Sequence, residues 1–296
     1  MRTYPSKILL FGEYILLIGG TALAVPMPAY SGRWVEALGK LPSEWHQKLL
    51  QFANSRQLEA VHGLATKAFI QDLHQGLIFE SNIPIGYGLG SSGALCAAVY
   101  DRYCHQKTSD LNALKHLLAG MESFFHGASS GIDPLTSYVE RALVIRHKTT
   151  VEFAEMAEWE NPPVVFLIDS ATPRKTADLV PWFVDKSSQA AFSATLNAAY
   201  LPAHEMLVDS WIRADTDVFW PNLRFVSQFQ VENFIPMIPA TLRELWLENL
   251  ERNDIIFKIC GAGGGGYMLG FCRSLAPVEA LSKQFKIVFP FSSHKP

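Results

Sequence analysis

Pro84-Ile85-Gly86-Tyr87-Gly88-Leu89-Gly90-Ser91-Ser92-Gly93-Ala94 lies between a β-like run, Leu77-Ile78-Phe79-Glu80-Ser81-Asn82-Ile83, and helix-compatible residues from Ala94 through Tyr103. Gly86, Gly88, Gly90 and Gly93 remove Cβ atoms where the chain turns, so consecutive backbone N–H groups can face one anion. Ser91 and Ser92 then stand where a helix begins, and the unpaired N–H groups and positive dipole end of that helix favour a phosphate. The stretch predicts a cradle for a nucleotide triphosphate.

Other readings of the loop are open on the glycines alone. Gly88, Gly90 and Gly93 spell G-x-G-x-x-G between a strand and a helix, the dinucleotide fingerprint. That reading needs a second strand ending in Asp or Glu about 20 residues on, and here Thr108-Ser109-Asp110-Leu111 opens another helical pattern. A P-loop needs a lysine after the glycines, and a protein kinase needs H-R-D and D-F-G; all are absent. A glycine-rich turn with no ligand is the remaining alternative.

The 296 residues suffice for two domains, and a 49% hydrophobic composition fits a well-packed fold. A formal charge of −3 without a basic block gives no footprint for nucleic acid or an anionic membrane, so a small-molecule partner is expected. Cys96, Cys104, Cys260 and Cys272 lack zinc or redox spacing and read as buried thiols in a reducing, cytoplasmic setting. No run reaches transmembrane length, and the N-terminal apolar stretch, broken by Gly12 and Glu13, does not read as a signal peptide.

Lys7-Ile8-Leu9-Leu10-Phe11 and Ile15-Leu16-Leu17-Ile18 are two apolar runs of strand length, the second closed by Gly19-Gly20. Glu13 between them must be solvated, paired or bound, because an isolated buried charge costs several kcal/mol. Lys7 taken alone is an ordinary strand-edge lysine. Residues 43–76 read as mostly helical scaffold.

Ser109 or Asp110 can cap a helix whose apolar face is Leu114, Leu117, Leu118, Met121 and Phe125. Glu122 borders that face, either as a metal ligand reaching a cleft or as a surface glutamate. His126 reads as a structural or hydrogen-bonding histidine. Asp133-Pro134 favours an extended or turn conformation that fixes the carboxylate's direction.

Residues 158–163 are polar and Pro-rich and mark a boundary between domains 1–162 and 163–296. Val164-Val165-Phe166-Leu167-Ile168 reads as a strand leading into Asp169 to Thr176, and helices dominate from there to Asn253. Ile255 to Ile259 and Tyr267 to Phe271 read as paired strands around Gly261-Ala262-Gly263-Gly264-Gly265-Gly266, a loop too glycine-rich for a simple hairpin. A helix over 277–284 and a strand over 285–289 complete the pattern.

Three stretches together resemble the GHMP kinase superfamily: Lys7-Ile8-Leu9-Leu10-Phe11-Gly12-Glu13-Tyr14, Pro84 to Ala94, and Lys258-Ile259-Cys260-Gly261-Ala262-Gly263-Gly264-Gly265-Gly266. Glu122 followed by His126-Gly127 and Ser130-Gly131-Ile132-Asp133 looks most like the mevalonate kinases of that superfamily. The resemblance implies an α+β, two-domain GHMP kinase fold. Its N-terminal domain would be of the ribosomal-protein-S5 domain-2 type, its C-terminal domain ferredoxin-like, with the active site between them.

By the same resemblance Asp133 would be the base for a substrate hydroxyl and Lys7 would lie beside it and the γ-phosphate. Gly86, Gly88, Leu89, Gly90, Ser91, Ser92 and Gly93 would hold ATP, and Ser92 with Glu122 would hold Mg²⁺. Glu13, Tyr14 and Gly263 would join Lys7 and Asp133 on the substrate side. Phosphoryl transfer asks mainly for alignment and charge neutralisation, which a metal, an ammonium and a helix N-terminus supply together. The implied reaction phosphorylates the 5-hydroxyl of (R)-mevalonate; phosphomevalonate, a sugar or an amino alcohol are the alternative acceptors. A non-catalytic nucleotide-binding regulator is a further alternative, and a homodimer is the candidate assembly. Ser6 stands where the family usually has glycine, Tyr14 where mevalonate kinases usually carry histidine, and Gly93 where alanine is usual.

Overall fold

The computed structural model describes residues 2–37, 43–172 and 178–291. Residues 173–176, which end the stretch that follows the 164–168 strand, lie outside the described residues. The chain forms two compact units, one of Met1–Lys7, Val25–Ile85 and Leu89–Arg141, the other of Ile8–Ala24, Gly86–Gly88 and Ala142–Pro296.

In the first unit the chain contributes parts of β1 (Thr3–Phe11) and β2 (Ala22–Glu36), together with β3 (Leu77–Ser81). Trp34 of β2 is paired with Phe79 of β3 in antiparallel register. Its ring also meets Phe69 and Tyr103, so one indole gathers a buried aromatic cluster on the sheet. The helical scaffold expected over 43–76 is present as α1 (Ser43–Ala53), α2 (Arg56–Glu59) and α3 (Thr66–His74).

Three further helices carry the chemistry of this unit: α4 (Ser91–Tyr103), α5 (Leu111–His126) and α6 (Ile132–Val139). Asp110 caps α5, its side chain accepting from the Ala113 N–H at 2.7 Å. Leu114, Leu118 and Met121 of that helix are buried, as the spacing predicts. Asp133-Pro134 is not extended but lies in the first turn of α6, where proline's missing N–H removes no helical bond.

In the second unit the start of β2 pairs with β4 (Leu143–Arg146), which pairs with β5 (Thr150–Phe153). The run Ile15–Ile18, expected as a strand, is a 3-10 turn closed by Gly19 at φ 98°. Between Gly12 and Gly19, both at positive φ, the chain bonds to itself, Leu17 N–H to the Tyr14 carbonyl and Gly19 N–H to the Leu16 carbonyl, instead of pairing with a strand.

A second sheet has the order β7-β8-β6-β9, from β6 (Val164–Asp169), β7 (Ile256–Ile259), β8 (Tyr267–Cys272) and β9 (Ile287–Val288). All its pairings are antiparallel. The helices between β6 and β7 are α7 (Leu179–Ser188), α8 (Ala190–Thr195), α9 (Leu201–Arg213), α10 (Thr216–Asn233) and α11 (Ala240–Arg252), and α12 (Ala276–Ser282) precedes β9. The connectivity β-α-β-β-α-β is the ferredoxin-like arrangement. Cys96, Cys104, Cys260 and Cys272 are all buried and outside any disulfide.

Candidate functional site

Chemistry-bearing residues of the first unit converge where α4 and α6 begin. Lys7 ends that unit's piece of β1, and its N–H donates to the Leu89 carbonyl at 3.0 Å, tying the strand to the glycine stretch. Its ammonium reaches Asp133 Oδ1 at 2.8 Å. Lys7 is buried, while the Asp133 side chain keeps 29% of its surface open. The pair therefore has one sequestered partner and one accessible partner.

Packing sets this geometry. A Cβ built on Gly93 would stand 2.8 Å from Asp133 C and from Pro134 N. Real Cβ atoms do not come that close, so glycine at this position lets the first turns of α4 and α6 touch backbone to backbone. The N-cap of α4 is Gly90 at φ 76°, with no side-chain cap, so the opening N–H groups are left for another acceptor.

Ser92, in the first turn of α4, donates its hydroxyl hydrogen to Glu122 Oε1 at 2.8 Å. Having one hydrogen, Ser92 Oγ accepts in turn from His126 Nε2 at 2.9 Å. Ser129 donates to the other Glu122 oxygen at 2.5 Å. Glu122 is buried. Burial and then the Asp133 carboxylate push its carboxyl above the usual range, offset in part by the two serine hydroxyls and Lys7. A carboxylate taken out of water beside a second carboxylate is short of positive charge, and with Ser92 Oγ it offers hard oxygen donors. This fits Mg²⁺, which is bound by one or two carboxylates and completes its shell with phosphate and water.

The other candidate residues belong to the second unit. Gly86 and Gly88 have φ of 82° and 72°, and Tyr87 between them packs on Tyr267 with the rings tilted at 54° and its hydroxyl 3.4 Å from Asp169. Glu13 is buried, and both its oxygens bind Lys258 Nζ at 2.6 and 2.7 Å. Burial pushes the Glu13 carboxyl upward; the Lys258 ammonium and the backbone N–H groups of Glu13 and Gly261 pull it back. Tyr14 packs on Phe183 and donates its hydroxyl to the Ala262 carbonyl at 2.5 Å. Gly263, at φ 66°, passes so close to Met237 that an added Cβ would lie 2.3 Å from its carbonyl oxygen.

A family model, the GHMP kinases N terminal domain, matches residues 56–141. That stretch holds the glycine loop, Ser92, Glu122 and Asp133. The chain is 26% identical over 297 residues to a mevalonate kinase of Archaeoglobus fulgidus, covering 92% of each. The chain is thus similar to the GHMP kinases over residues 56–141 and to that mevalonate kinase along most of its length. In fold it is similar to the Methanococcus jannaschii mevalonate kinase, with TM-score 0.63, 17% identity and coverage of 97% and 96% of the two chains. It is also similar to a Streptococcus pneumoniae phosphomevalonate kinase solved with phosphomevalonate and AMPPNP, with TM-score 0.66, 14% identity and coverage of 97% and 98%.

Of the residues named from sequence, the first unit brings together Lys7, Leu89, Gly90, Ser91, Ser92, Gly93, Glu122 and Asp133, and the second holds Gly86, Gly88, Glu13, Tyr14 and Gly263. Sequence reasoning gave no role to Ser129 or Lys258. For Lys258 the signal was present: Ile255-Ile256-Phe257-Lys258-Ile259 embeds a cation in an apolar run, as Gly12-Glu13 interrupts another with an anion.

Proposed function

We propose that this chain is a Mg·ATP-dependent kinase that phosphorylates the 5-hydroxyl of (R)-mevalonate, giving 5-phosphomevalonate and ADP. The observation that carries the reading is the 2.8 Å Lys7–Asp133 pair at the start of α6, packed without a side chain between it and the uncapped start of α4. When bound, Mg²⁺ neutralises phosphate charge and ATP supplies the phosphoryl group; Ser92 and Glu122 would hold the metal.

The chain's own residues supply the rest. Asp133 accepts the proton of the acceptor hydroxyl as the O–P bond forms, and its carboxylate is held for that purpose by Lys7. Lys7 also presents an ammonium to the charge that develops on the transferred group. The first N–H groups of α4, from Ser91 to Gly93, bind the phosphate chain, with Gly86, Gly88, Leu89 and Gly90 keeping its backbone approach open. Glu13, Tyr14 and Gly263 form the acceptor-side wall. In this reading residues 1–162 form the ATP-binding domain and residues 163–296 the second domain.

Tyr14 favours a second reading, phosphomevalonate as acceptor, because Glu-Tyr at this point also occurs in phosphomevalonate kinases. An acceptor screen under Mg·ATP decides between them. ADP release with mevalonate, and background release with phosphomevalonate, homoserine and sugars, is the expected result. Release with phosphomevalonate alone replaces the first reading by the second, and release with neither overturns both.

A further inference from the structure

Lys258 and Glu13 form the most deeply buried ion pair among the described residues, with side chains 1% and 2% exposed. All three ammonium hydrogens have partners, two on the Glu13 oxygens and one on the Ile259 carbonyl at 2.7 Å. Burying such a pair seldom adds stability over a well-packed apolar pair of the same volume, because the cost of desolvation offsets the attraction. What the pair does add is direction.

Glu13 lies inside a turn that is otherwise unfavourable: Gly12 before it has φ 107° and Tyr14 after it φ 65°, a rare value for a residue with a side chain. Lys258 bridges the Glu13 carboxylate to the Ile259 carbonyl, and Tyr14 donates to the carbonyl of Ala262. The turn at 12–14 and the loop leading to Gly263 are thereby joined twice, and Lys258 makes the charged member of that join tolerable in a dry interior.

We propose that Lys258 is a positioning residue for the acceptor: it fixes Glu13, and Glu13 fixes the two backbone segments that carry Tyr14 and Gly263. This inference rests on the reading of those two residues as the acceptor-side wall. It assigns Glu13 an inward task instead of direct contact with the alcohol.

The test uses Lys258→Met, Lys258→Arg and the apolar pair Glu13→Leu/Lys258→Met, with acceptor and Mg·ATP varied separately and Tm recorded for each. The double variant is expected to fold with a Tm no lower than the parent, and to raise the acceptor KM about tenfold while the Mg·ATP KM moves less than about twofold. Lys258→Arg, which keeps the charge, is expected to recover part of the acceptor KM. Should Lys258→Met alone fail to fold, the double variant still decides the matter. An acceptor KM within about twofold of the parent in the double variant, or equal increases for both substrates, overturns the proposal while leaving the kinase reading intact. A parent chain that turns over no alcohol removes the functional reading, and this inference with it.

Discussion

Asp133 keeps an open face while its lysine partner is buried, so the carboxylate can meet a substrate without giving up its orientation. Asp133→Asn keeps the shape and removes the proton acceptor that the proposed mechanism requires. It is expected to lower kcat about a hundredfold or more while Mg·ATP affinity, measured by calorimetry, changes less than about twofold. Glu122→Gln is expected to raise the Mg²⁺ concentration for half-maximal rate about tenfold, and an unaltered metal titration would remove Glu122 from the metal site. At this scale Glu122 was legible as a residue at the edge of an apolar stripe. Its burial was not, because that depends on Ser92 and Ser129 arriving from other segments to satisfy both oxygens. Lys258 was harder still: its partner is 245 residues away, and no local pattern links the two.

The contact between α4 and α6 shows what one missing methyl group permits. An alanine at 93 gains about 1 kcal/mol in helix propensity, but its Cβ meets backbone atoms of Asp133 and Pro134 that cannot rotate aside, at a cost of about 1–3 kcal/mol. The two effects oppose each other and leave a net cost of about 0–2 kcal/mol, with the displacement falling on Asp133. Gly93→Ala is therefore expected to shift Tm little while turnover falls about tenfold or more, since small misplacements of reacting groups are costly. Turnover equal to the parent would show that α6 does not set the position of the base. Helix starts were readable where polar caps announce them, as at Asp110. The 3-10 turn at Ile15–Ile18 was not, since a short apolar run carries the same signal whether it extends or coils. The α6 start hid behind an Asp-Pro step that usually ends helices and here begins one.

Across the molecule the two-domain fold was legible through the resemblance that three motifs, in order along the chain, bear to the GHMP kinase superfamily. How the chain is shared between compact units was not readable. The divisions fall inside β1, after Lys7, and inside β2, before Val25, where the apolar pattern runs on unchanged. Stability should depend on pH through His204, which is buried against the Thr21 carbonyl at 2.8 Å. Burial lowers its pKa from 6.5 to about 4. Above pH 6.5 the imidazole is neutral folded or unfolded, and the contribution is complete. As pH falls towards 4 the unfolded chain takes up a proton that the folded chain refuses, and about 3 kcal/mol is lost. Denaturant midpoints at pH 7 and pH 4.5 should therefore separate more for the parent than for His204→Gln; equal separation would place the acid sensitivity elsewhere.

The four sealed thiols give the chain a stopwatch in each half. Cys96 and Cys104 fall in one unit, Cys260 and Cys272 in the other, and a reagent such as iodoacetamide can reach none of them until its surroundings open. Timing alkylation site by site, with and without nucleotide, would report which half loosens first and which half a ligand quietens.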